Sequence, residues 1–272
     1  MPAKSSTSPW RSRRLAFISL LLLLAFPAGC RDDADAGTDT ADGPLRVAAA
    51  ISLKDVMEDL AGAWEAQSGN RIVATYASSG QLAAQVAGGA PIDLFISAGV
   101  PQVTMLEEGG HIDSASVRTI TANALVLVAP VGAETPSGWE ALADNGVRRI
   151  AIGHPDTVPA GRYAKQALER LGLYERLSER LVHGANVRQV LNYVELGEVD
   201  AGIVYRTDAI VSGDRVRIVA TCDPALHDPI QYPAAIVARS PHRVAAEAFL
   251  AFLAGPEAGA ILQRHGFAPA GE

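Results

Sequence analysis

The sequence predicts an α/β protein with mostly parallel sheets, and three observations support this prediction. Apolar runs of strand length alternate with segments of helical periodicity through most of the chain after residue 45. Such alternation is typical of βαβ units, which build parallel sheets. Hydrophobic residues make up 49% of the 272 residues, enough for a packed core, whereas only 6% are aromatic. The foldable part, about 230 residues, fits one large domain or two smaller lobes.

The first thirty residues are predicted to be an export signal. Three arginines between residues 11 and 14 precede an apolar run of about twelve residues, 15–26. A membrane-spanning helix needs about 20 such residues, whereas a signal peptide has a shorter apolar core behind basic residues. The run ends in Phe-Pro-Ala-Gly and Cys30, which resembles a lipoprotein processing site. We therefore expect an exported protein, periplasmic or on the outer face of the cytoplasmic membrane, with a lipid anchor at Cys30.

Residues 31–44 are acidic and glycine-rich without an apolar period, which predicts a flexible tether. After Cys30 the chain has 19 basic and 30 acidic residues, a net charge of −11. This charge argues against nucleic acid as a partner, because phosphate binding depends on basic side chains. If Cys30 carries lipid, only Cys222 remains, so no internal disulfide is possible. Cys222 is expected to be a small buried hydrophobe.

Eight apolar runs of four or five residues are predicted to be strands. Between them, apolar residues recur at helical spacing from Leu53 to Trp64, from Tyr163 to Leu171 and from Val187 to Val194. The predicted strands are residues 45–49, 72–76, 94–97, 125–129, 149–152, 201–205, 216–220 and 234–238.

Helix starts that follow these strands are rich in small and hydroxyl residues. Ser52 and Asn186 are expected to cap helices, and Pro159 to occupy a first turn. The segment Ala-Ser-Ser-Gly, residues 77–80, opens another helix. Each start alone is ordinary capping chemistry. Several helix N-termini aimed at one point would hold an oxyanion through backbone N–H groups without any cation, which suits this acidic chain.

Catalytic and metal-binding motifs are absent from the sequence. None of the six histidines has a tight ligand spacing, and there is no G-x-S-x-G elbow, S-x-x-K motif or P-loop. With Cys222 the only cysteine besides Cys30, a thiolate metal cluster is excluded. We therefore expect a binding protein without a cofactor rather than an enzyme.

Several long segments resemble the exported molybdate-binding proteins that feed ABC transporters. They occur in the family's order and cover essentially all of residues 45–269. The resemblance implies a two-lobed periplasmic-binding-protein fold with two interlobe crossovers, near residues 125–129 and 232–238. It implies residues 45–126 with 234–272 as lobe 1 and residues 127–233 as lobe 2. The segments are AAAISLKDVM, YASSGQLAAQV, GAPIDLFISA, NALVLVAP, HPDTVPAGRYAKQALERLG, NVRQVLNYVELGEVDAGIVYRTDA and HGFAPA.

The resemblance also implies a site for molybdate, and for tungstate. In the family the oxyanion is held by two serine hydroxyls, backbone N–H groups at helix starts and one tyrosine hydroxyl. Matched by motif, these residues are Ser52, Ser79, Ala160, Val187 and Tyr205. Molybdenum would be held only as the oxyanion, through the same residues. The implied partners are an ABC permease and the membrane at the lipid anchor, and we expect a monomer.

Three positions depart from the family pattern. Ile51 stands where Ala is common, Asn186 where Asp is frequent, and Arg206 in place of a small residue. Strand alternation predicts that Arg206 points away from the Tyr205 face. A turn after Tyr205 would instead let Arg206 reach the ligand.

Three alternative functions follow from the same residues. The site could bind another tetrahedral oxyanion such as sulfate. The same fold also serves as an effector-sensing module of transcription regulators, which need a DNA-binding segment where this chain has its predicted signal. The third alternative, an enzyme on this fold, would need a nucleophile with its base or a set of metal ligands, and this sequence has neither.

Overall fold

The computed structural model describes residues 43–133 and 136–271. The predicted export signal, the lipidation at Cys30 and residues 31–42 of the predicted tether lie outside the described residues. Within the described residues, the chain forms ten strands and nine α-helices, joined in places by short 3-10 turns.

Eight of the ten strands correspond to predicted runs. The other two, Arg118–Ala122 and Leu181–Gly184, lie at sheet edges, where a strand needs no continuous apolar run. The strands are β1 (Leu45–Ala50), β2 (Ile72–Ala77), β3 (Leu94–Ile96), β4 (Arg118–Ala122), β5 (Leu125–Pro130), β6 (Ile150–Gly153), β7 (Leu181–Gly184), β8 (Ala201–Tyr205), β9 (Val216–Thr221) and β10 (Gln231–Ile236).

The helices lie between strands and at the C-terminal end of the chain. The three segments with predicted helical spacing all form helices. The helices are α1 (Lys54–Ser68), α2 (Ser79–Ala87), α3 (Val100–Glu108), α4 (Pro159–Arg170), α5 (Tyr174–Leu177), α6 (Val187–Glu195), α7 (Arg206–Ser212), α8 (Arg243–Leu253) and α9 (Pro256–Arg264).

The strands form two five-stranded sheets, in the orders β2-β1-β3-β10-β4 and β7-β6-β8-β5-β9. β1 pairs in parallel with β2 and β3, and β6 pairs in parallel with β7 and β8. β10 is antiparallel to both of its neighbours, and so is β5. Four strands of each sheet therefore point the same way. The predicted α/β fold with mostly parallel sheets is confirmed, with one reversed strand in each sheet.

The reversed strand of each sheet is the one that the chain enters from the other sheet. The chain passes from β4 to β5 through residues 123–124, and from β9 to β10 through residues 222–230. The Asn123 N–H donates to the Ile230 carbonyl at 3.1 Å, so the two crossovers lie side by side. The predicted lobe boundaries, after residues 126 and 233, fall inside β5 and β10. Below, the first lobe is the part built on the first sheet and the second lobe is the part built on the second.

Helices pack their apolar faces on both sheets. In the first lobe, α1 buries Val56, Met57, Leu60 and Trp64. In the second lobe, α4 and α6 pack against β6 and β8. The N-terminal ends of these helices follow strand ends, which places them where ligands bind in open α/β sheets.

Within the described residues, no single helix is long and apolar enough to cross a membrane. The helices α8 and α9 meet that test only as a pair, and they are bent by 60° relative to each other. Both contribute buried side chains to the hydrophobic core, such as Phe249 and Ile261.

Candidate functional site

The five residues predicted to bind an oxyanion line one small cavity. Ser52 and Ser79 come from the first lobe, and Ala160, Val187 and Tyr205 from the second, and each is at most 5% exposed. The cavity leaves about 10 Å³ for the centre of a water-sized sphere, roughly the room that one water molecule requires. The rest of its wall is small or apolar apart from one further serine: Ala50, Ile51, Ala77, Ser78, Ala98, Val158 and Pro159.

Ser52 lies in a 3-10 turn, Ile51–Leu53, that joins β1 directly to α1. The prediction that Ser52 caps α1 is wrong, because the turn moves the helix start past the serine and makes Leu53 the N-cap. The Ser52 hydroxyl is therefore not used by the helix. Its Oγ lies 3.0 Å from the hydroxyl oxygen of Tyr232 on β10.

Ser79 is the first residue of α2, and Ser78 before it is the N-cap. Ser78 and Gln81 form a capping box, so Ser79 is not needed to cap the helix. The Ser79 Oγ accepts a hydrogen bond from the N–H of Ala98 at 3.0 Å. A hydroxyl that accepts from an N–H keeps its own proton for another partner. Ser79 is thus set up as a donor in the cavity wall.

The first turn of α4 reaches the cavity because the helix packs closely on β6. Pro159 is the first helical residue, as predicted, and Ala160 the second. A Cβ on Gly161 would lie 2.0 Å from the Gly153 carbonyl oxygen, so only glycine permits this packing. N–H groups in a first turn have no partner inside the helix, and the helix dipole makes this end positive. Ala160 therefore offers a backbone donor.

Val187 opens α6 immediately after its N-cap, Asn186. The Asn186 Oδ1 accepts a hydrogen bond from the Gln189 N–H at 2.9 Å, so the predicted cap is confirmed. Like Ala160, Val187 has a first-turn N–H that the helix itself does not satisfy. Asn186 provides this cap without the negative charge that Asp would place beside an anion site.

Tyr205 ends β8 and reaches across to the first lobe, where its hydroxyl donates to the Ala98 carbonyl at 3.2 Å. Burial, together with the neighbouring Tyr232, raises the pKa of Tyr205 well above its ordinary value, so the hydroxyl stays protonated. Its single proton is directed at Ala98. Donation to an anion therefore requires exchange of this hydrogen bond.

Arg206 does not line the cavity. The chain turns after Tyr205, because Arg206 is the first residue of α7 and its N–H donates to the Ala124 carbonyl at 2.8 Å. The prediction from strand alternation is thus wrong in assuming that the strand continues through residue 206, because β8 ends at Tyr205. The Arg206 side chain is nevertheless exposed and is not part of the cavity wall.

The two lobes also meet beside the cavity through backbone and charged contacts. The Gly80 N–H donates to the Thr157 carbonyl at 3.0 Å. The Arg188 Nη2, next to Val187, lies 2.7 Å from Asp55 Oδ2 in the first lobe and 3.4 Å from Asp208 Oδ1 in α7. These contacts hold the helix starts of the two lobes close together.

The charged groups of this contact influence each other's protonation. Burial disfavours the charge on Arg188, but the Asp208 and Asp55 carboxylates outweigh burial and raise the Arg188 pKa. Asp208 is fully buried, and burial raises its pKa to about 6 although Arg188 opposes the shift. The positive charge of Arg188 is therefore directed at two carboxylates.

Three residues that contact the candidate site were not singled out from the sequence: Ala98, Asn123 and Tyr232. Ala98 hydrogen-bonds both Ser79 and Tyr205, whereas Tyr232 contacts Ser52 and Asn123 contacts Tyr232. Ala98 follows a predicted strand, which placed it at the correct end of the sheet. No local pattern marks Asn123 or Tyr232, because their contacts form only when the crossovers are in place.

The wall supplies hydrogen-bond donors without formal charge. Among the described residues that line the cavity, none has a charged side chain. In the described part of the chain, no three His, Cys, Asp or Glu residues lie together as a metal site would require. Cys222 is buried, as predicted, and burial raises its pKa to about 11, which keeps the thiol protonated. Neutral donors and helix N-termini in a small buried cavity are suited to binding an anion.

Comparison with known proteins connects this geometry to a family. Residues 45–268 match the family described as bacterial extracellular solute-binding protein. The chain is 39% identical over 240 residues to the molybdate-binding protein ModA of Escherichia coli (strain K12), covering 85% of this chain and 92% of that protein. It is 36% identical over 253 residues to a Bacillus subtilis (strain 168) protein provisionally named ABC transporter substrate-binding lipoprotein YvgL. This match covers 92% of this chain and 96% of that protein.

The fold matches a solved structure of the same kind. The periplasmic molybdate-binding protein of Azotobacter vinelandii aligns with a TM-score of 0.75 at 30% identity, over 83% of this chain and 99% of that chain. The family match covers both sheets and every residue of the candidate site. The chain therefore belongs to the family of bacterial extracellular solute-binding proteins.

Proposed function

We propose that this protein binds molybdate, and also tungstate, between its two lobes and delivers the ion to the membrane permease of an ABC transporter. The observation that carries the proposal is the shared cavity of Ser52, Ser79, Ala160, Val187 and Tyr205. The names of the E. coli and A. vinelandii relatives support molybdate as the ion.

Three kinds of neutral donor would surround the ion. Ser52 and Ser79 would donate through hydroxyls, and Ala160 and Val187 through backbone N–H groups at positive helix ends. Tyr205 would exchange the Ala98 carbonyl for an oxyanion oxygen, a stronger acceptor because it is charged. A dianion is thereby held without a cation in the wall.

The separation of the lobes would select the ion by its size. The cavity has room for about one water molecule, and a tetrahedral oxyanion is larger. Bound molybdate would therefore displace the Tyr205 hydroxyl from the Ala98 carbonyl and push the cavity wall outward locally, while contacts beside the cavity, such as that of Gly80 with Thr157, keep the separation of the lobes. A fixed separation lets the donors of both lobes reach all oxygens of an ion of one size.

Selectivity follows from the same wall. Phosphate near neutral pH still carries a proton, which needs an acceptor, and the lining side chains include no carboxylate. A buried donor left unpaired costs about 1–3 kcal/mol, enough to discriminate roughly tenfold or more. Sulfate carries no proton and would be refused on size, because it is smaller than molybdate.

Thermal unfolding with a panel of oxyanions tests the proposal. A ligand that binds only the folded state at about 100 times its Kd adds about 2.7 kcal/mol of stability, which raises Tm by roughly 5–10 °C for a chain of this size. We expect this shift with molybdate and tungstate, and none with phosphate or sulfate at the same concentration. If no oxyanion in the panel shifts Tm, the protein does not bind oxyanions and the proposal is wrong.

We further propose that the protein acts as a monomer held at the membrane by lipid on Cys30. The motif before Cys30 and the lipoprotein name of the B. subtilis relative support the anchor. Cys30→Ala should release the protein from washed membranes, because one lipid anchor provides most of the attachment. A parent protein that is already soluble, with a mature N-terminus other than residue 30, would contradict the anchor.

A further inference from the structure

We propose that Asn123 and Tyr232 are positioning residues that fix the direction of the Ser52 hydroxyl, so that Ser52 presents its proton to the oxyanion. The inference rests on the proposed function, since it assigns these residues a role in the same cavity. Neither residue lines the cavity wall, so both would act through Ser52.

The three side chains form one hydrogen-bonded chain. The Asn123 Nδ2 lies 3.2 Å from the Tyr232 hydroxyl oxygen, and that oxygen lies 3.0 Å from Ser52 Oγ. Tyr232 is completely buried and Ser52 is 5% exposed, so solvent does not compete for these hydrogen bonds. Burial also raises the pKa of Tyr232, which keeps its hydroxyl protonated.

The direction of the chain is set at Asn123. Its Oδ1 accepts from the Ala124 N–H at 2.9 Å, which fixes the Nδ2 as the atom that faces Tyr232. An amide NH₂ can only donate, so the Tyr232 oxygen is an acceptor in this pair. The same NH₂ also donates to Thr207 Oγ1 at 2.9 Å, which uses both of its protons.

The proton of Tyr232 then has one partner. A buried hydroxyl that donates to no acceptor costs about 1–3 kcal/mol. Among the described residues, Ser52 Oγ is the acceptor that lies within hydrogen-bond distance of the Tyr232 hydroxyl. Ser52 therefore accepts from Tyr232 and keeps its own proton for the cavity. Ser79 is oriented in the same way by the Ala98 N–H. Both serines are thus fixed as donors before an ion arrives.

The chain also connects the site to the crossovers between the lobes. Asn123 lies in the first crossover and Tyr232 follows the second, while Thr207 belongs to α7 of the second lobe. The orientation of Ser52 in the first lobe therefore depends on the segments about which the lobes would move. This placement explains why a residue outside the cavity would affect ion binding.

A double-mutant cycle between Tyr232 and Ser52 tests the proposal, with molybdate affinity measured by titration calorimetry. Tyr232→Phe removes the hydroxyl and keeps the ring. We expect it to weaken molybdate binding about three- to tenfold, the range of one ordinary hydrogen bond. In a Ser52→Ala background, the same change should have almost no further effect, because its role passes through Ser52. Tyr193→Phe, at a half-buried tyrosine of α6 that does not line the cavity, is the matched control and should bind like the parent.

The outcomes separate this role from a general effect on folding. The proposal would be overturned if the losses of molybdate affinity in the two single variants multiply in the double variant, or if Tyr232→Phe binds like the parent. Either result would leave the proposed function intact. A parent protein that does not bind molybdate would overturn both. If Tyr232→Phe does not fold, Asn123→Ala takes its place in the cycle, with the same non-additive loss expected and additive losses contradicting it.

Discussion

The polar atoms of the candidate site belong to neutral residues whose protons are already directed by neighbouring groups. Ser79 is oriented by the Ala98 N–H, whereas Tyr205 must first give up its hydrogen bond to the Ala98 carbonyl. A preorganised donor such as Ser79 binds an anion without first rearranging, so less free energy is lost on binding. Because these residues are almost completely buried, each hydrogen bond to the proposed ion would form without competition from bulk water.

Ser52→Ala and Ser79→Ala should each weaken molybdate binding about tenfold to a hundredfold, since a hydrogen bond to a charged group is worth about 1.5–3 kcal/mol. Titration calorimetry on each single variant measures this. Ser116→Ala, at a buried serine that does not line the cavity, is the control and should bind like the parent. Parent-like affinity in both site variants would show that the residues carried over from the family do not hold the ion.

Asp208 gives the fold a pH dependence that can be measured. Its pKa is raised to about 6 by burial, so the folded protein holds a proton that the unfolded chain releases at lower pH. The stability that this proton provides is present at low pH and is lost as the pH rises through about 6. As the pH rises from 4.5 to 7.5, the difference in unfolding free energy between Asp208→Asn and the parent should therefore change by about 2 kcal/mol in favour of the variant. A difference between variant and parent that is constant over this range in urea unfolding would contradict the raised pKa.

At the scale of elements, the central strands and the edge strands β2 and β9 could be predicted, whereas the edge strands β4 and β7 and the 3-10 turn before α1 could not. Central strands are buried on both faces and leave continuous apolar runs, but the edge strands β4 and β7 do not. Ser52 lies in a 3-10 turn and contacts Tyr232, 180 residues away. Such a contact leaves no trace in the local sequence.

Gly80 controls how closely α2 approaches the second lobe. A Cβ there would lie 2.5 Å from the Thr157 carbonyl oxygen, and a backbone atom cannot easily move aside. We expect Gly80→Ala to weaken molybdate binding roughly tenfold or more, because overpacking costs about 1–3 kcal/mol. Gly62→Ala in α1 is the matched control, since a Cβ there meets no atom within 4 Å. Equal affinities of the two variants, measured by calorimetry, would show that this close approach does not accompany binding.

At the scale of the whole molecule, two crossings of the chain between the sheets create the site. The chain enters the second sheet at β5 and returns to the first sheet at β10, and the crossovers bring loops that are more than 100 residues apart to one cavity. The alternation of strands and helices predicted the class of fold, and the resemblance to a family predicted which loops converge. Neither predicted the ion pair of Arg188 with Asp55, which forms only between folded lobes.

An acidic chain that binds a dianion must offset its own charge locally. The part after Cys30 has a net charge of −11, yet the described residues lining the cavity include no carboxylate. The Asp55 and Asp208 side chains nearby are paired with Arg188. The positive ends of α4 and α6 therefore reach the cavity at a wall that carries no charged side chain.

Titration calorimetry of the parent protein with molybdate, repeated in the presence of equimolar sulfate and then phosphate, measures ion binding most directly. We predict one molybdate per chain, with an affinity that neither competitor changes. Absence of binding heat with any of these ions would contradict an oxyanion site in this cavity. Equal binding of sulfate and molybdate would instead contradict the molybdate assignment, and with it the inference that the fixed separation of the lobes selects the ion by size.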